Sequence, residues 1–348
     1  MMLAILTVIG TRPQFIKAAA VSQALRTRSN LREIIVHTGQ HFDDDMSRQF
    51  FDELDIPTPT YSLDIHGGAH GEMTGRMLQE IELVIGKVRP DLVLVYGDTN
   101  STVAAALAAA KMRVPVAHVE AGLRSFDRSM PEEVNRIVTD HISGLLFCPT
   151  RAAVANLRRE GIVAGVTHVG DVMYDMTQRA AALVKQKSRI LERLALRPNS
   201  YAVATVHRAE STDEPDKLAR IFMWLAERAV ERPVIMPLHP RTRLAMERAA
   251  VNTGALRMID PLGYLDMTAL VQNAAAVYTD SGGLQKEAYF HRVPCITLRT
   301  TTEWVETVEA GWNRLWTEPP NDTPRREIDD YGDGLAALRI VEAIESAR

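Results

Sequence analysis

Short apolar runs alternate along the chain with longer segments in which apolar residues recur every three or four positions. Residues 3–9, L-A-I-L-T-V-I, predict a buried strand, and residues 13–27 carry Ile16, Ala20 and Ala24 at helical spacing. Continuous apolar strands between helices indicate parallel βαβ units whose sheets are covered on both faces. The predicted strands are 3–9, 32–38, 92–96, 116–120, 144–148, 201–206, 234–238, 256–259, 274–279 and 295–298. The predicted helices are 13–27, 44–54, 74–88, 101–111, 132–141, 152–160, 174–194, 216–229, 243–250, 264–273, 283–290 and 334–346.

The alternation starts again after Val169-Gly170-Asp171, so the chain is expected to form two domains. We predict an α/β fold of two Rossmann-like domains, residues 1–171 and 172–333, with a C-terminal helix in 334–348. A length of 348 residues exceeds that of a single compact core, which agrees with this division. Doubly wound sheets bind ligands at the carboxyl ends of their strands, so the active site is expected in the cleft between the domains.

The composition is that of a globular protein, with 46% hydrophobic and 24% charged residues. A formal net charge of -4 argues against bulk attraction to nucleic acid or membranes. No apolar run reaches the roughly 18 residues of a membrane span, and the N-terminal segment lacks the basic region and cleavage site of a signal peptide. We therefore expect a cytoplasmic protein with no nucleic-acid or membrane partner.

The two cysteines, Cys148 and Cys295, lie far apart in the sequence. Neither has His or Cys neighbours at metal-ligand spacing. We expect two reduced, buried thiols and no metal centre.

Polar residues follow the first predicted strand in the segment G-T-R-P-Q-F-I-K, residues 10–17. Gly10 permits a tight turn, Pro13 suits the first helical position, and Arg12 and Lys17 place cations near the helix N-terminus. This arrangement favours a bound anion such as phosphate. The alternative is a capped helix with surface charges.

Carboxylates follow two further strands of the first half. Asp98 lies in G-D-T-N-S-T after the strand 92–96, where the alternative role is a helix cap. Glu120 ends an apolar strand, where an unpaired carboxylate would be costly, so a structural partner such as Arg124 or Arg136 is the alternative to a catalytic role. Glu132 and Arg136 are four residues apart on a predicted helix, which also fits a simple ion pair.

In the second half, cationic and glycine-rich segments follow the strands. His207-Arg208 closes the strand 201–206 and suits a diphosphate, whereas a surface histidine is the alternative. The segment T-D-S-G-G-L-Q-K-E-A, residues 279–288, is a strand-to-helix turn whose glycines are explained by the turn, but Glu287 is not. Carboxylates in one half and cations with glycines in the other describe a two-sided site, for proton transfer and for an anionic leaving group.

Eight motifs in order along the chain make it similar to the non-hydrolysing UDP-N-acetylglucosamine 2-epimerase family. They are G-T-R-P-Q-F-I-K from Gly10, T-G-Q-H from Thr38, G-D-T-N-S-T from Gly97, H-V-E-A-G-L-R from His118, P-E-E-V-N-R from Pro131, His207-Arg208, T-D-S-G-G-L-Q-K-E from Thr279 and Y-G-D-G from Tyr331. The resemblance implies a glycosyltransferase-B arrangement of the two domains, a homodimer, and a C-terminal helix that returns to the first domain. It also implies that UDP-GlcNAc and UDP-ManNAc are interconverted by inversion at C2, for cell-surface polysaccharide precursors, without NAD or another cofactor and without an obligatory metal.

The family reaction eliminates UDP to give a 2-acetamidoglucal, then re-adds UDP with the opposite configuration at C2. The resemblance assigns proton transfer to Asp98, Glu120 and Glu132, and UDP binding mainly to the second domain. It implies the following contacts: His207 at the diphosphate with Arg12 in support; Ser281, Gly282 and Gly283 around the phosphates; Glu287 at the ribose hydroxyls; and Lys17, Arg136 and Arg299 on the sugar or phosphate side. Gln40, His41 and Arg76 match in part the region where some bacterial members bind a second UDP-GlcNAc as activator.

Several positions depart from the common pattern of members that act on UDP-GlcNAc. Gln14 replaces Glu, the segment S-F-D-R-S-M at 125–130 is about two residues shorter, and H-R-A-E from His207 and E-W-V-E from Glu303 replace H-R-R-E and E-R-P-E. These variants resemble the branch that acts on UDP-2,3-diacetamido-2,3-dideoxyglucuronate, and we expect them near the sugar. A glycosyltransferase of the same architecture, a hydrolysing epimerase and a UDP-sugar sensor are the remaining alternatives. Three carboxylates disfavour the transferase and the sensor, and the absence of an attached kinase domain disfavours the hydrolysing epimerase.

Overall fold

The computed structural model describes residues 2–40, 51, 53–249, 251–319 and 323–347. These residues form two compact units. The first unit runs to Gln178 and includes the C-terminal segment from Asp329, and the second is Arg179–Ile328. The division falls inside a helix, a few residues beyond the position 171/172 expected from the sequence.

The first unit contains a parallel sheet in the order β3-β2-β1-β4-β5-β6-β7. Its strands are β1 Leu3–Ile9, β2 Leu31–His37, β3 Tyr61–Ser62, β4 Leu92–Tyr96, β5 Val116–Val119, β6 Leu145–Cys148 and β7 Val166–His168. Thr7 of β1 pairs with Ile35 on one side and with Leu94 on the other, which fixes the register at the centre of the sheet.

Helices cover this sheet, which explains why its central strands are apolar on both faces. The helices are α1 Arg12–Arg26, α2 His70–Val88, α3 Asn100–Lys111, α4 Pro131–Ile142, α5 Arg151–Arg159, α6 Val172–Lys187, which crosses the unit boundary, and α14 Ala336–Ser346. A 3-10 turn, Asp329–Tyr331, precedes α14. The alanines of α3 are buried against β1 and β4, since small side chains allow close approach of the helix to the sheet.

The C-terminal helix α14 packs against α1 within the first unit. Glu345 on α14 accepts a 2.8 Å hydrogen bond from Asn30 Nδ2 and lies 3.5 Å from Arg28 Nε. Asp175 of α6 accepts hydrogen bonds from the backbone N–H groups of Ala336 and Ala337 at the start of α14. The last helix is therefore an integral part of the first unit.

The second unit repeats the design with a parallel sheet in the order β10-β9-β8-β11-β12-β13. Its strands are β8 Ala202–Thr205, β9 Val234–Pro237, β10 Arg257–Ile259, β11 Ala276–Thr279, β12 Cys295–Thr297 and β13 Asn313–Leu315. Its further helices are α7 Ile190–Arg193, α8 Ala209–Thr212, α9 Pro215–Glu231, α10 Pro240–Ala249, α11 Tyr264–Gln272, α12 Gly282–Phe290 and α13 Val305–Glu309.

Both sheets have the Rossmann strand order, in which the chain builds outward from a central strand first in one direction and then in the other. The predicted α/β class with two Rossmann-like sheets is confirmed. The switch point lies between β1 and β4 in the first sheet and between β8 and β11 in the second. Loops after these strands are where such sheets bind ligands.

The structure differs from the predicted elements at several places. The helix predicted at 174–194 is broken into α6 and α7, because Ser188 accepts from Ile190 N–H and donates to Asp266 Oδ1, which starts a new turn. Short elements such as β13 and α13 were not predicted, since three to five residues carry too little periodicity. The helix predicted at 44–54 lies largely outside the described residues. Among the described residues, no helix combines the length and apolar character needed to cross a membrane.

Candidate active site

The turn after β1 is packed so tightly that only glycine fits at its start. A Cβ atom on Gly10 would lie 2.0 Å from Thr38 Oγ1 and 2.4 Å from Ser101 Oγ. Gln40 joins this cluster, since its Oε1 accepts hydrogen bonds from the backbone N–H and the hydroxyl of Ser101. The turn after β1 is thereby packed against the start of α3.

Gln14 connects the two sides of the first switch point. Its Oε1 accepts from the backbone N–H groups of Gly10 at 2.8 Å and Thr11 at 3.1 Å. Its Nε2 donates to the Tyr96 carbonyl at 2.8 Å and to Thr102 Oγ1 at 2.9 Å. The side chain is 1% exposed. The buried amide of Gln14 therefore holds the turn after β1 to the end of β4. The expectation that Gln14 lies near the sugar stays a prediction.

Lys17 and Glu120 form a buried ion pair at this switch point. Lys17 lies on α1, and Glu120 directly follows β5. Gly97, which follows β4, lies beside them, since a Cβ atom there would be 3.1 Å from Lys17 Nζ and 3.2 Å from Glu120 Oε2. Glu120 has a backbone φ of 73°, a left-handed conformation that is uncommon for a non-glycine residue and frequent at functional positions. Lys17 was not among the structural partners considered for Glu120.

Asp98 and Arg136 form a second ion pair next to Gly97. Arg136 Nη2 lies 2.5 Å from Asp98 Oδ2, and Arg136 Nη1 lies 2.8 Å from Glu133 Oε2. Asn135 Nδ2 also donates to the Asp98 carbonyl at 2.9 Å. Arg136 is buried, whereas the Asp98 side chain is partly exposed, so a fixed cation holds a carboxylate that a ligand can reach.

Two further predicted residues, Arg12 and Glu132, lie at the N-termini of α1 and α4. Arg12 is the first residue of α1 and is partly exposed. Glu132 lies in the first turn of α4 and is also partly exposed. Carboxylates in a first turn interact favourably with the helix dipole. Glu133, the residue after Glu132, was not predicted and is a buried partner of Arg136.

His118 supports the turn that carries Asp98. Its Nε2 lies 2.8 Å from the Gly97 carbonyl, and its Nδ1 lies 2.7 Å from Asp140 Oδ1. Arg124 Nη1 donates to Asp140 Oδ2 at 2.7 Å. Burial raises the pKa of the Asp140 carboxyl, but the His118 ring and the Arg124 guanidinium outweigh burial and hold that pKa below its ordinary value. An ionised Asp140 therefore anchors His118, and His118 anchors Gly97.

Asp280 joins the segments that follow β8 and β11 at the second switch point. It follows β11, and its Oδ2 accepts from the backbone N–H groups of His207 and Arg208, both at 2.9 Å. His207 Nδ1 lies 3.4 Å from Asp280 Oδ1, and its side chain is partly exposed. The hydroxyls of Thr205 and Thr279 are 2.6 Å apart and join the ends of β8 and β11. The turn bearing His207-Arg208 is thus fixed by a buried carboxylate.

The glycines of residues 279–288 begin helix α12. Ser281 is its N-cap and accepts a hydrogen bond from Leu284 N–H at 3.4 Å. Gly282 is buried, while Gly283 is partly exposed. A Cβ atom on Gly282 would lie 2.5 Å from Glu303 Oε1 and 3.5 Å from Arg208 Nη2, so both side chains border this helix N-terminus. Glu287 lies further along α12 and is 9% exposed.

Arg299 is buried in an ion-pair network of the second unit. Its Nε lies 2.9 Å from Glu210 Oε1, and its Nη1 lies 2.9 Å from Glu303 Oε2. Glu303 Oε1 is 4.0 Å from Arg208 Nη2. The network links the variant segments H-R-A-E and E-W-V-E, so each of these segments contributes a carboxylate to the same arginine.

The residues matched to an activator site are not brought together by any described contact. Gln40 is engaged by Ser101, as given above. Arg76 lies on the exposed side of α2, 3.9 Å from Glu72. His41 lies outside the described residues.

Sequence reasoning missed Glu133, His118, Gln14 and Asp280 as supporting residues. Each of them stands inside a segment that was singled out, and Asp280 directly precedes Ser281. A polar residue at a position that is buried in the fold is a signal for such a role, because its hydrogen-bonding groups must be satisfied there. For His118, Gln14 and Asp280, however, the partner lies in another segment of the chain and cannot be named from one segment.

The strand orders and the polar residues at both switch points define a Rossmann-like α/β protein with ligand-binding features in each of two units. The family model described as UDP-N-acetylglucosamine 2-epimerase matches residues 23–345. The chain belongs to the UDP-N-acetylglucosamine 2-epimerase family, which confirms the resemblance found in the motifs.

Relatives agree with this assignment over nearly their whole length. The chain is 51% identical to the UDP-2,3-diacetamido-2,3-dideoxy-D-glucuronate 2-epimerase of Pseudomonas aeruginosa, covering 97% of this chain and 98% of that protein. It is 49% identical to a UDP-N-acetylglucosamine 2-epimerase homolog of Methanococcus maripaludis, with 98% and 99% covered. The crystal structure of Methanocaldococcus jannaschii UDP-GlcNAc 2-epimerase in complex with UDP-GlcNAc and UDP is similar with a TM-score of 0.89 at 39% identity, covering 99% of this chain and 100% of that one.

Proposed function

We propose that this protein is a non-hydrolysing UDP-N-acetylglucosamine 2-epimerase, an isomerase that interconverts UDP-GlcNAc and UDP-ManNAc. The observation that carries the proposal is the pair of carboxylates at the first switch point, Asp98 and Glu120, each held by a buried cation, Arg136 or Lys17. Carboxylates fixed in this way can accept and return a proton. Membership of the family and the relative crystallised with UDP-GlcNAc and UDP support the choice of substrate.

In the proposed reaction a carboxylate takes the proton from C2 of the sugar. The electrons of the C2–H bond form a C1=C2 double bond, and the C1–O bond to UDP breaks with its electron pair on the diphosphate oxygen. The 2-acetamidoglucal and UDP stay bound. A proton then returns to the opposite face of C2, and UDP adds again at C1. We assign the proton transfers to Asp98, Glu120 and Glu132 as a group.

The second unit is proposed to bind UDP. The N-terminus of α12, with Ser281, Gly282 and Gly283, favours an anion through its N–H groups and the helix dipole. His207, fixed by Asp280, is proposed to contact the diphosphate and to assist its departure, with Arg12 in support. Holding UDP between elimination and re-addition keeps the second step effectively intramolecular.

The remaining predicted residues have more indirect roles in this proposal. Glu287 is assigned to the ribose hydroxyls. Lys17 and Arg136 are proposed to act on the sugar side while they hold Glu120 and Asp98. Arg299 is proposed to act through Glu210 and Glu303, the carboxylates it pairs with.

A second candidate substrate is UDP-2,3-diacetamido-2,3-dideoxyglucuronate. The observation that favours it is the 51% identity to the Pseudomonas aeruginosa 2-epimerase of that name. A substrate panel separates the two: the protein is incubated with each UDP-sugar, and the products are resolved by anion-exchange chromatography. A 2-epimer formed from UDP-GlcNAc supports the first candidate. A 2-epimer formed only from the uronate supports the second. The absence of a 2-epimer from both UDP-sugars would contradict the proposed function.

Several further features are proposed on the family resemblance. The protein is proposed to be a cytoplasmic homodimer that supplies precursors for cell-surface polysaccharides. It is proposed to need no cofactor and no metal, so that turnover survives dialysis against EDTA. Light scattering coupled to size-exclusion chromatography tests the dimer.

Activation by a second UDP-GlcNAc near Gln40, His41 and Arg76 stays a prediction. A sigmoidal dependence of the rate on UDP-GlcNAc concentration would support it.

A further inference from the structure

Phe126, in the loop between β5 and α4, is an exposed aromatic residue whose backbone N–H donates to Glu133, a carboxylate that also pairs with Arg136. The residue is 74% exposed, and no other Phe, Tyr or Trp in the part of the chain that the structure describes is exposed to this degree. Aromatic side chains gain stability chiefly through burial. The exposed ring therefore adds little to the stability of the first unit and is accessible to a ligand.

The backbone of Phe126 is held in a costly conformation. Its φ is 59°, in the left-handed region, which costs a bulky residue about 1 kcal/mol or more. The buried Glu133 fixes this conformation, because Oε1 accepts from Phe126 N–H at 3.0 Å and Oε2 accepts from Ser125 N–H at 2.9 Å. The backbone of the loop is thus held at Ser125 and Phe126 by a buried carboxylate.

The same carboxylate connects Phe126 to the residues proposed for proton transfer. Glu133 Oε2 accepts from Arg136 Nη1 at 2.8 Å, and Arg136 Nη2 lies 2.5 Å from Asp98 Oδ2. The loop that carries Phe126 and the carboxylate of Asp98 are therefore fixed by one continuous set of hydrogen bonds. The backbone of Phe126 is thus fixed relative to Asp98, and its exposed ring is accessible to a ligand that Asp98 also contacts.

We propose that Phe126 is a specificity-determining residue whose ring packs against the sugar of the substrate. The ligand chemistry is the apolar part of an amide-substituted hexose, namely its ring C–H groups and the methyl group of its acetamido substituent, which an aromatic face contacts favourably. This inference rests on the proposed function, since it takes the reacting sugar to lie at Asp98. The ring contributes to binding of the sugar and does not contribute to binding of UDP alone.

The variant Phe126→Gly removes the aromatic ring and keeps the backbone conformation of the loop. Glycine adopts a positive φ without strain, and the backbone N–H group that bonds to Glu133 is retained. We expect unchanged or increased thermal stability, unchanged affinity for UDP by calorimetry, and kcat/KM for the UDP-sugar lowered about tenfold, the equivalent of one ring contact. Phe126→Tyr keeps the aromatic face and should keep kcat/KM within about twofold of the unsubstituted protein. Val163→Ala, which trims another exposed apolar residue of the first unit, is the matched control and should leave kcat/KM unchanged.

Turnover by the unsubstituted protein is measured first, so that failure of the proposed function is seen before any variant is compared. An unchanged kcat/KM for Phe126→Gly overturns the inference. A loss of UDP affinity equal to the loss in kcat/KM also overturns it, because the residue would then act on the whole site. A changed molar mass of Phe126→Gly in light scattering would assign the ring to a contact between copies of the chain and would likewise overturn it.

Discussion

Gln14 and Tyr96 are joined by a buried hydrogen bond of 2.8 Å from the side-chain amide of Gln14 to the Tyr96 carbonyl oxygen. Gln14 belongs to α1 and Tyr96 ends β4, so the bond spans the switch point of the first sheet. Gly97 and Asp98 follow Tyr96 directly. The position of the proposed catalytic carboxylate therefore depends on a residue that is itself buried.

The Gln14→Met substitution tests this dependence. Methionine keeps the length of the side chain but leaves the buried N–H groups of Gly10 and Thr11 without their acceptor, which costs about 1–3 kcal/mol in the free energy of unfolding. Urea unfolding followed by far-UV circular dichroism measures the loss, and kcat should fall as the turn shifts. Gln79→Met, at an exposed position of α2, is the control and should change stability by less than about 0.5 kcal/mol. Equal stability of the two variants would contradict the account.

The Lys17–Glu120 pair is tested by a double-mutant cycle. Lys17→Met leaves the buried Glu120 carboxylate without this partner, which should lower the free energy of unfolding by about 3–5 kcal/mol. Adding Glu120→Gln removes the uncompensated charge, so the double variant should be more stable than Lys17→Met alone. Urea unfolding of the four proteins gives the coupling energy. A coupling near zero would mean that the two charges do not stabilise each other.

Asp280→Ala should weaken UDP binding, although Asp280 itself is not proposed to contact UDP. The substitution leaves the N–H groups of His207 and Arg208 without their acceptor and frees the turn that carries both side chains. We expect at least about a tenfold loss of UDP affinity, equivalent to about 1.4 kcal/mol, because the turn no longer holds His207 and Arg208 in position for the diphosphate. All four tryptophans lie between residues 224 and 316, so tryptophan fluorescence reports on the second unit and shows whether it remains folded. Asp213→Ala, which removes an exposed ion pair with Arg241, is the control and should keep UDP affinity. Retention of UDP affinity by Asp280→Ala would contradict the role given to Asp280.

The two cysteines are expected to be unreactive in the folded protein. Burial raises the pKa of Cys148 to about 12, with the nearby Asp140 carboxylate adding to the effect, and burial raises the pKa of Cys295 to about 12. Both thiols therefore stay protonated at pH 8, where the thiolate needed for alkylation is scarce. Mass spectrometry after iodoacetamide should find no modification of the native protein and two modifications after denaturation. Rapid labelling of either thiol in the active protein would contradict the burial described here.

The fold was predictable because its signals are local. Central strands such as β4, L-V-L-V-Y, are apolar throughout, and a polar residue stands within two positions of the end of each switch-point strand. These features place Asp98, Glu120, His207 and Ser281 at the correct edges of the sheets. The break at Ser188 and the strand β13 were not predictable, because the first depends on a contact with Asp266, 78 residues away, and the second has only three residues.

The supporting contacts of the site were not predictable from one sequence. Gln14 and Tyr96 are separated by 82 positions, and Lys17 and Glu120 by 103. The i, i+4 spacing suggested an ion pair between Glu132 and Arg136, but it could not suggest the contacts of Arg136 with Glu133 and Asp98. Helical spacing identifies neighbours on one helix, but a long arginine side chain also reaches residues of the adjacent strand.

Deuterium exchange at C2 of the sugar tests the central claim most directly. The protein is incubated in D2O with UDP-GlcNAc and, separately, with UDP-2,3-diacetamido-2,3-dideoxyglucuronate, and the nucleotide sugars are examined by 1H NMR. The account predicts deuterium at C2 together with a mixture of the two C2 epimers for at least one substrate, and loss of this exchange in Asp98→Asn with UDP binding retained. Absence of deuterium uptake at C2 from both UDP-sugars would contradict it.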